Sequence, residues 1–399
     1  MTSAGPELDE AAMLQQARDA TGLEDFGDER FREPLRHLLD SLEHEARLSA
    51  SGRANQHARI VGSLVTRLRA EAFLVEHPEI LDEAIVAPLV IIGPTRSGTT
   101  RLHRLLAEDP RHFAVLWWEN RCPIPEPGSD WRHDDPRIRD AYAEVRAVLA
   151  AQPELAAIHP WDPEGPDEDA LLCEHAFLSY VPESCTHVPS YLRWMNDQDL
   201  TPAYEYLERM LKILQWQKKE RGETGEHWVL KTPQHLGFIE PLCRTFPDAR
   251  LVQTHRDPLA AVPSAASMYS TLWKIDSEEV DLGAAGRQCR DRLALDLERC
   301  LAFRASQPAD RFYDLRFDDM SREPLAELER LYAWLGTPFL PETRRGIERW
   351  LVRHAREKRP PHRYSLEAFE LDEADLRTRF ADYRERFVLS HETRATGSR

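Results

Sequence analysis

No apolar run in this chain approaches the roughly 20 residues of a membrane-spanning helix, so no span of that kind is expected. The opening residues, MTSAGPELDEAAM, lack a basic start and an apolar stretch, so no secretory signal peptide is expected either. Cysteine is sparse and scattered, at Cys122, Cys173, Cys185, Cys243, Cys289 and Cys300, with no Cys-x-x-Cys pair. That pattern offers neither a disulfide framework nor a zinc site, and it points to reduced thiols in a cytoplasmic protein. No other cluster calls for a metal. Positive charge is in deficit: 52 Lys and Arg face 69 Asp and Glu, a net charge of -17. The bulk surface therefore repels nucleic acid and anionic membranes, and neither is expected as a partner. A phosphorylated ligand must be held by locally placed Arg, Lys and helix ends against that overall field. Internal repeats and long low-complexity segments are absent as well.

What is there begins with size. A chain of 399 residues, 42% hydrophobic and 30% charged, has room for one large α/β domain with extensions or for two domains. Its most informative stretch is Pro88-Leu89-Val90-Ile91-Ile92-Gly93-Pro94-Thr95-Arg96-Ser97-Gly98-Thr99-Thr100. An apolar, β-branched run of strand length meets Gly-Pro punctuation and a short polar loop. A helical pattern then follows at Leu102, Leu105 and Leu106. Gly93 and Gly98 have the spacing of a loop that turns backbone N–H groups onto an anion. A nucleoside-triphosphatase loop would continue Gly-Lys-Ser/Thr, whereas this one continues Gly98-Thr99-Thr100 and carries its cation inside, at Arg96. The loop suits a phosphate but lacks the lysine that holds a β/γ-phosphate pair.

Around this stretch the chain reads in segments. Residues 1–85 form a helical extension packed on the core, with Leu35, Leu38, Leu39, Leu42 and then Ile60, Leu64, Leu68 at helix spacing. Residues 109–220 are an insertion walling a cleft, rich in proline and tryptophan at first, with a helix at 136–150 and another at 203–219. The acids Asp167-Glu168-Asp169 read as a solvated helix start. Glu174 and His175 lie further in. Val188–Trp194 is either core or an acceptor contact.

Further strands are expected at His227–Leu230, Ala249–Thr254 and Arg311–Phe317, with helices between and after them. Strand-helix-strand-helix spacing is the mark of a parallel sheet, in which ligands bind beyond the C-terminal strand ends. Arg96, Lys231 and Arg256 all lie at such ends. Lys231 places an ammonium beside the loop, able to stabilise charge on a leaving oxygen. His235, four residues on, is a candidate base. Arg256 and Ser264 are donors able to share one phosphate. His255-Arg256-Asp257 looks like a kinase catalytic triplet, but the asparagine that should follow falls at Val262, so that reading is rejected.

Together, Pro94–Thr100, Leu230-Lys231-Thr232-Pro233-Gln234-His235-Leu236 and Thr254-His255-Arg256-Asp257-Pro258 with Ser264 resemble the sulfotransferases that use 3′-phosphoadenosine 5′-phosphosulfate (PAPS), in their bacterial branch. The resemblance covers roughly residues 87–390 and is weak between 120 and 220. It implies a P-loop-type three-layer α/β fold: a central parallel sheet of about four to five strands, flanked by helices, over residues 86–399. It also implies PAPS as co-substrate, no metal, and transfer of a sulfuryl group to a hydroxyl or amine of a small organic acceptor. By resemblance, Arg96, Ser97, Gly98, Thr99 and Thr100 bind the 5′-phosphosulfate, and Arg256 and Ser264 the 3′-phosphate. Lys231 steadies the bridging oxygen and Phe317 lies near the adenine. Lys358, Arg359 and Arg363 lie near a C-terminal clamp on the 3′-phosphate. The base stays open. Animal members carry histidine two residues after the lysine, where this chain has Pro233, so His235, Glu174 and His159 are all candidates. A nucleotide or metabolite kinase and a non-catalytic nucleotide-sensing module remain as alternatives, and the oligomeric state is open.

Overall fold

A computed structural model describes residues 5–158, 161–354 and 365–390. Its centre is a parallel sheet of five strands: β1 (Leu89–Ile92), β2 (His112–Phe113), β3 (His227–Lys231), β4 (Arg250–His255) and β5 (Phe312–Arg316). Their order across the sheet is β2-β3-β1-β4-β5. The strand of the phosphate loop, β1, thus lies in the middle, paired through Val90 with Leu230 of β3 and with Leu251 of β4. The same register brings Ile91 level with Lys231, and Ile92 with Gln253. The C-terminal ends of β1, β3 and β4 therefore open on one rim, where a parallel sheet offers its ligand crevice.

Every residue of β1 is buried, and side-chain alternation sends them to opposite faces. Leu89 and Ile91 join one core with Leu102, Leu105, Leu328, Leu331 and Trp350. Val90 and Ile92 join the other with Leu230, Leu251, Leu207 and Leu214. Three layers follow from that alternation. The second core runs without a break into the N-terminal helices Arg32–His44 and Ala50–Glu76, since Leu35, Leu38, Leu42, Ile60, Leu64 and Leu68 are buried within it.

The expected helices appear at Pro136–Ala151 and Thr201–Glu220. The short β2 was not foreseen. It has only two residues, too few for an alternation pattern, and is set by its pairing with His227 and Trp228. Among the described residues, no helix is long and apolar enough to cross a membrane.

Candidate active site

The loop after β1 turns into the helix Thr99–Leu106. No side chain caps this helix at Gly98, so its first N–H groups remain available for an anion. Gly98 sits at φ 90°, in the left-handed region, and a Cβ there would press on the Phe317 ring at 3.1 Å. A Cβ on Gly93 would collide with Thr254 Oγ1. Both positions are thus closed to larger residues, and the loop backbone lies against β4. Arg96 is also left-handed, at φ 71°, which costs a non-glycine residue about 1–3 kcal/mol and must be held by its surroundings. Ser97 is buried. Its Oγ lies 2.6 Å from Pro94 O and 2.6 Å from Thr254 Oγ1, so it ties the loop to β4.

Arg96 bridges to the β4 side. Its Nε donates to Ser264 Oγ at 3.3 Å, and its carbonyl accepts from Arg256 Nη1 at 2.6 Å. The Arg256 guanidinium lies 4.5 Å from the centre of the Phe317 ring. Ser264 stands on the helix Pro258–Asp276, which starts directly after β4. Two guanidinium groups, a hydroxyl, an aromatic face and a bare helix N-terminus therefore meet on one rim. The donor set fits an aromatic nucleoside carrying more than one phosphate.

On the other side of β1, Lys231 ends β3 and is fully buried. Its Nζ donates to Glu168 Oε1 at 2.6 Å and to Thr100 Oγ1 at 3.3 Å. Thr100 and Glu168 face the cavity and stand between it and the ammonium. The neighbouring Asp169 accepts from the Lys231 backbone N–H at 2.7 Å and lies 2.8 Å from His235 Nε2. Burial works to raise the Asp169 carboxyl, but His235 and the Lys231 N–H prevail and hold it below the usual aspartate value. The acidic triplet is therefore no solvated helix start. Its second and third members fix both ends of Lys231.

The remaining candidates land elsewhere. His235 is fully buried, with its other ring nitrogen 3.1 Å from the Tyr204 hydroxyl, so both nitrogens face protein partners. Glu174 is buried in an ion pair with Arg59 at 3.1 Å. Neither lines the cavity. His159, Lys358, Arg359 and Arg363 lie outside the described residues. Tyr191 is buried and donates to Phe177 O at 2.7 Å, and Trp194 stacks on His37, so that segment packs. Glu168 escaped the sequence reading because its partner lies 63 residues away and no local spacing announces the contact.

The rim opens into a cavity of about 1050 Å³ that takes in Arg96–Thr100, Glu168, Thr232, Arg256, Ser264 and Phe317.

His103 and His175 are also buried, and neither has a hydrogen-bonded ring nitrogen among the described residues. Burial lowers both to about 3; Lys231 adds to this at His103, Arg67 at His175. Both imidazoles are thus neutral when folded and take up a proton on unfolding below their ordinary value near 6.5. Their contribution is whole above that pH and drains away as pH falls toward 3. Each removes about 1.4 kcal/mol of stability per pH unit in that window. Urea unfolding at pH 7.5 and 5.5 should therefore show a marked loss at the lower value, and equal midpoints would contradict the burial of neutral imidazoles.

Fold and site together define an α/β protein with a parallel sheet, whose glycine-turned loop, basic strand ends and buried lysine gather at one rim. A profile of the sulfotransferase family matches residues 88–341, and the chain belongs to that family. The omega-hydroxy-beta-dihydromenaquinone-9 sulfotransferase Stf3 of Mycobacterium tuberculosis is 27% identical over 296 residues, 71% of this chain and 72% of its own length. Among solved structures, sulfotransferase STF9 from Mycobacterium avium superposes with a TM-score of 0.86 at 29% identity, over 96% of this chain and 97% of that one. Sulfotransferase STF1 from Mycobacterium tuberculosis H37Rv gives 0.82 at 30% identity, over 94% and 98%. The protein is a sulfotransferase enzyme, and the kinase and sensing-module alternatives fall.

Proposed function

We propose that this sulfotransferase takes its sulfuryl group from PAPS and passes it to a hydroxyl or amine of a small organic acceptor, leaving adenosine 3′,5′-bisphosphate. The observation that carries the reading is the convergence of Arg96, Arg256 and Ser264 on the rim shared with the bare helix N-terminus. Backbone N–H groups of Gly98, Thr99 and Thr100 hold the 5′ end with Arg96, while Arg256 and Ser264 hold the 3′-phosphate. Phe317, already stacked on Arg256, presents its ring toward the base. The nucleotide supplies an activated sulfur–oxygen bond.

Around that bond the chain's own groups divide the work. Lys231 Nζ stabilises negative charge on the leaving oxygen. Glu168 accepts the acceptor's proton, as general base in place of His235, Glu174 and His159. Support for this role is its position in the cavity, 2.6 Å from Lys231 Nζ. An anionic donor competes with Glu168 for the ammonium, so donor binding frees the carboxylate to act. The bond from sulfur to acceptor oxygen forms as the bond to the phosphate oxygen breaks, and the proton goes to Glu168. The buried free thiols Cys173, Cys243, Cys289 and Cys300 suit a reducing cytoplasm, where we place the enzyme.

Calorimetry on Arg256→Ala tests the nucleotide assignment. Loss of a charged hydrogen bond should weaken adenosine 3′,5′-bisphosphate about 10- to 100-fold. Adenosine 5′-phosphate, which lacks the 3′ group, should change by less than about threefold. Equal losses would refute the assignment of Arg256 to the 3′-phosphate.

A further inference from the structure

We infer that Tyr383 and Arg384 are positioning residues for the 3′-phosphate site, holding the turn after β4 so that Arg256 and Ser264 meet one phosphate together. This deepens the nucleotide reading above and rests on its assignment of the 3′-phosphate to Arg256 and Ser264.

The first ground is what the turn needs. β4 pairs with β5 up to His255 and Arg316, and the helix that carries Ser264 starts at Pro258. Arg256 and Asp257 lie between ladder and helix, where polar groups must find partners from elsewhere. The short helix Ala381–Arg384 supplies them. The Arg256 backbone N–H donates to the Tyr383 hydroxyl, which also lies 3.0 Å from His255 Nδ1. Arg384 grips Asp257 with its fork, Nε donating to Oδ1 and Nη2 to Oδ2, each at 2.9 Å. Two successive side chains thus hold three successive residues of the turn.

The second ground is where these bonds lead. Asp257 Oδ1 also accepts from the Leu259 N–H at 3.0 Å and so caps the helix Pro258–Asp276. Through that cap Arg384 fixes the start of the helix bearing Ser264. Tyr383 fixes the backbone from which the Arg256 guanidinium reaches Arg96 O and lies over the Phe317 ring. Neither Tyr383 nor Arg384 lines the cavity, so both act through Arg256 and Ser264.

The third ground is that the holders are themselves held. Leu376, Phe380 and Tyr383 are buried in the second core, and Arg384 is buried as well. Phe387 stacks on His255 with ring centres 4.5 Å apart and planes 3° from parallel. On the far side of that imidazole, Nε2 lies 2.8 Å from Asp314 Oδ1 of β5, a carboxylate that Arg304 also grips. Burial holds the His255 imidazole below its usual value, so it is neutral at pH 7, with its proton on Nε2 toward Asp314. Nδ1 then accepts from the Tyr383 hydroxyl, whose oxygen accepts from the Arg256 N–H. In His255-Arg256-Asp257 the outer members therefore serve the scaffold and the middle one the ligand.

The experiment is calorimetry on the full chain with adenosine 3′,5′-bisphosphate and, separately, adenosine 5′-phosphate. Arg384→Gln should weaken the bisphosphate about tenfold and the 5′-phosphate by less than about threefold. Tyr383→Phe keeps the buried ring and loses only the hydroxyl. It should weaken the bisphosphate about three- to tenfold, again with little change for the 5′-phosphate. Should Arg384→Gln fail to fold, Tyr383→Phe decides alone. In turnover, both variants should raise KM for PAPS and leave kcat within about threefold, since the lost binding is shared by ground and transition states. With a wild-type chain that prefers the bisphosphate, three results overturn this inference alone: variants with wild-type selectivity, equal losses for both nucleotides, or a fall in kcat at unchanged KM. Equal losses would leave Tyr383 and Arg384 as packing residues only. A wild-type chain that does not prefer the bisphosphate overturns the 3′-phosphate reading and this inference together.

Discussion

Replacing Lys231 with alanine is expected to lower kcat about 100- to 1,000-fold, the scale of losing one preorganised donor at a developing oxyanion. The reason is local. Lys231 ends β3 beside the phosphate loop, its backbone is clamped by Asp169, and its ammonium is aimed past Thr100 toward the rim. The backbone is fixed before any ligand arrives, and the ammonium, held by Glu168 at 2.6 Å, has only to exchange that partner for the donor. Because the ammonium acts on charge that develops during reaction, bisphosphate affinity should move by less than about tenfold. Glu168 is part-exposed and can be solvated once its partner is gone, so the variant should fold. A thermal melt checks this and single-turnover rates with labelled donor check the rest. A wild-type rate would remove Lys231 from the chemistry.

The second large effect is expected at Glu168. Glutamine keeps the size of the side chain and its acceptor oxygen toward Lys231 but cannot take a proton. Glu168→Gln should lower kcat about 100- to 10,000-fold, the range for general-base groups. Adenosine 3′,5′-bisphosphate should bind equally well or more tightly, since one negative charge beside the phosphate site is gone. That split between turnover and affinity separates a base from a merely structural partner of Lys231. A variant within threefold of wild type would send the search for the base elsewhere.

Much of this arrangement was open to reading from the residues alone, for reasons that differ from element to element. The strands β1, β3 and β4 are short runs with apolar or β-branched centres and β5 pairs aromatic with charged residues; all appear near their expected bounds. Their parallel pairing followed from the helices between them. The loop, Arg256 and Ser264 were legible because each sits in a local pattern, and the structure brings all three into contact.

Glu168 and Asp169 were not, because their roles come from partners more than 60 residues on. His235 shows the opposite difficulty. Its spacing from Lys231 suggested a shared cleft, but the chain turns inward after Pro233 and carries the imidazole beneath the sheet rim to Asp169 and Tyr204. The four residues run from a strand end through Pro233 into a short helix at Gln234–Gly237, so helical spacing does not apply to them.

The central claim is that three strand ends grip an adenosine phosphorylated at both its 3′ and 5′ positions. Calorimetric titration of the wild-type protein with adenosine 3′,5′-bisphosphate, and separately with ATP and magnesium, tests it most directly. The expected result is binding of the bisphosphate at least about 100-fold tighter than ATP, on the scale of two charged hydrogen bonds to the 3′-phosphate. Equal affinities, or a preference for ATP with magnesium, would contradict it.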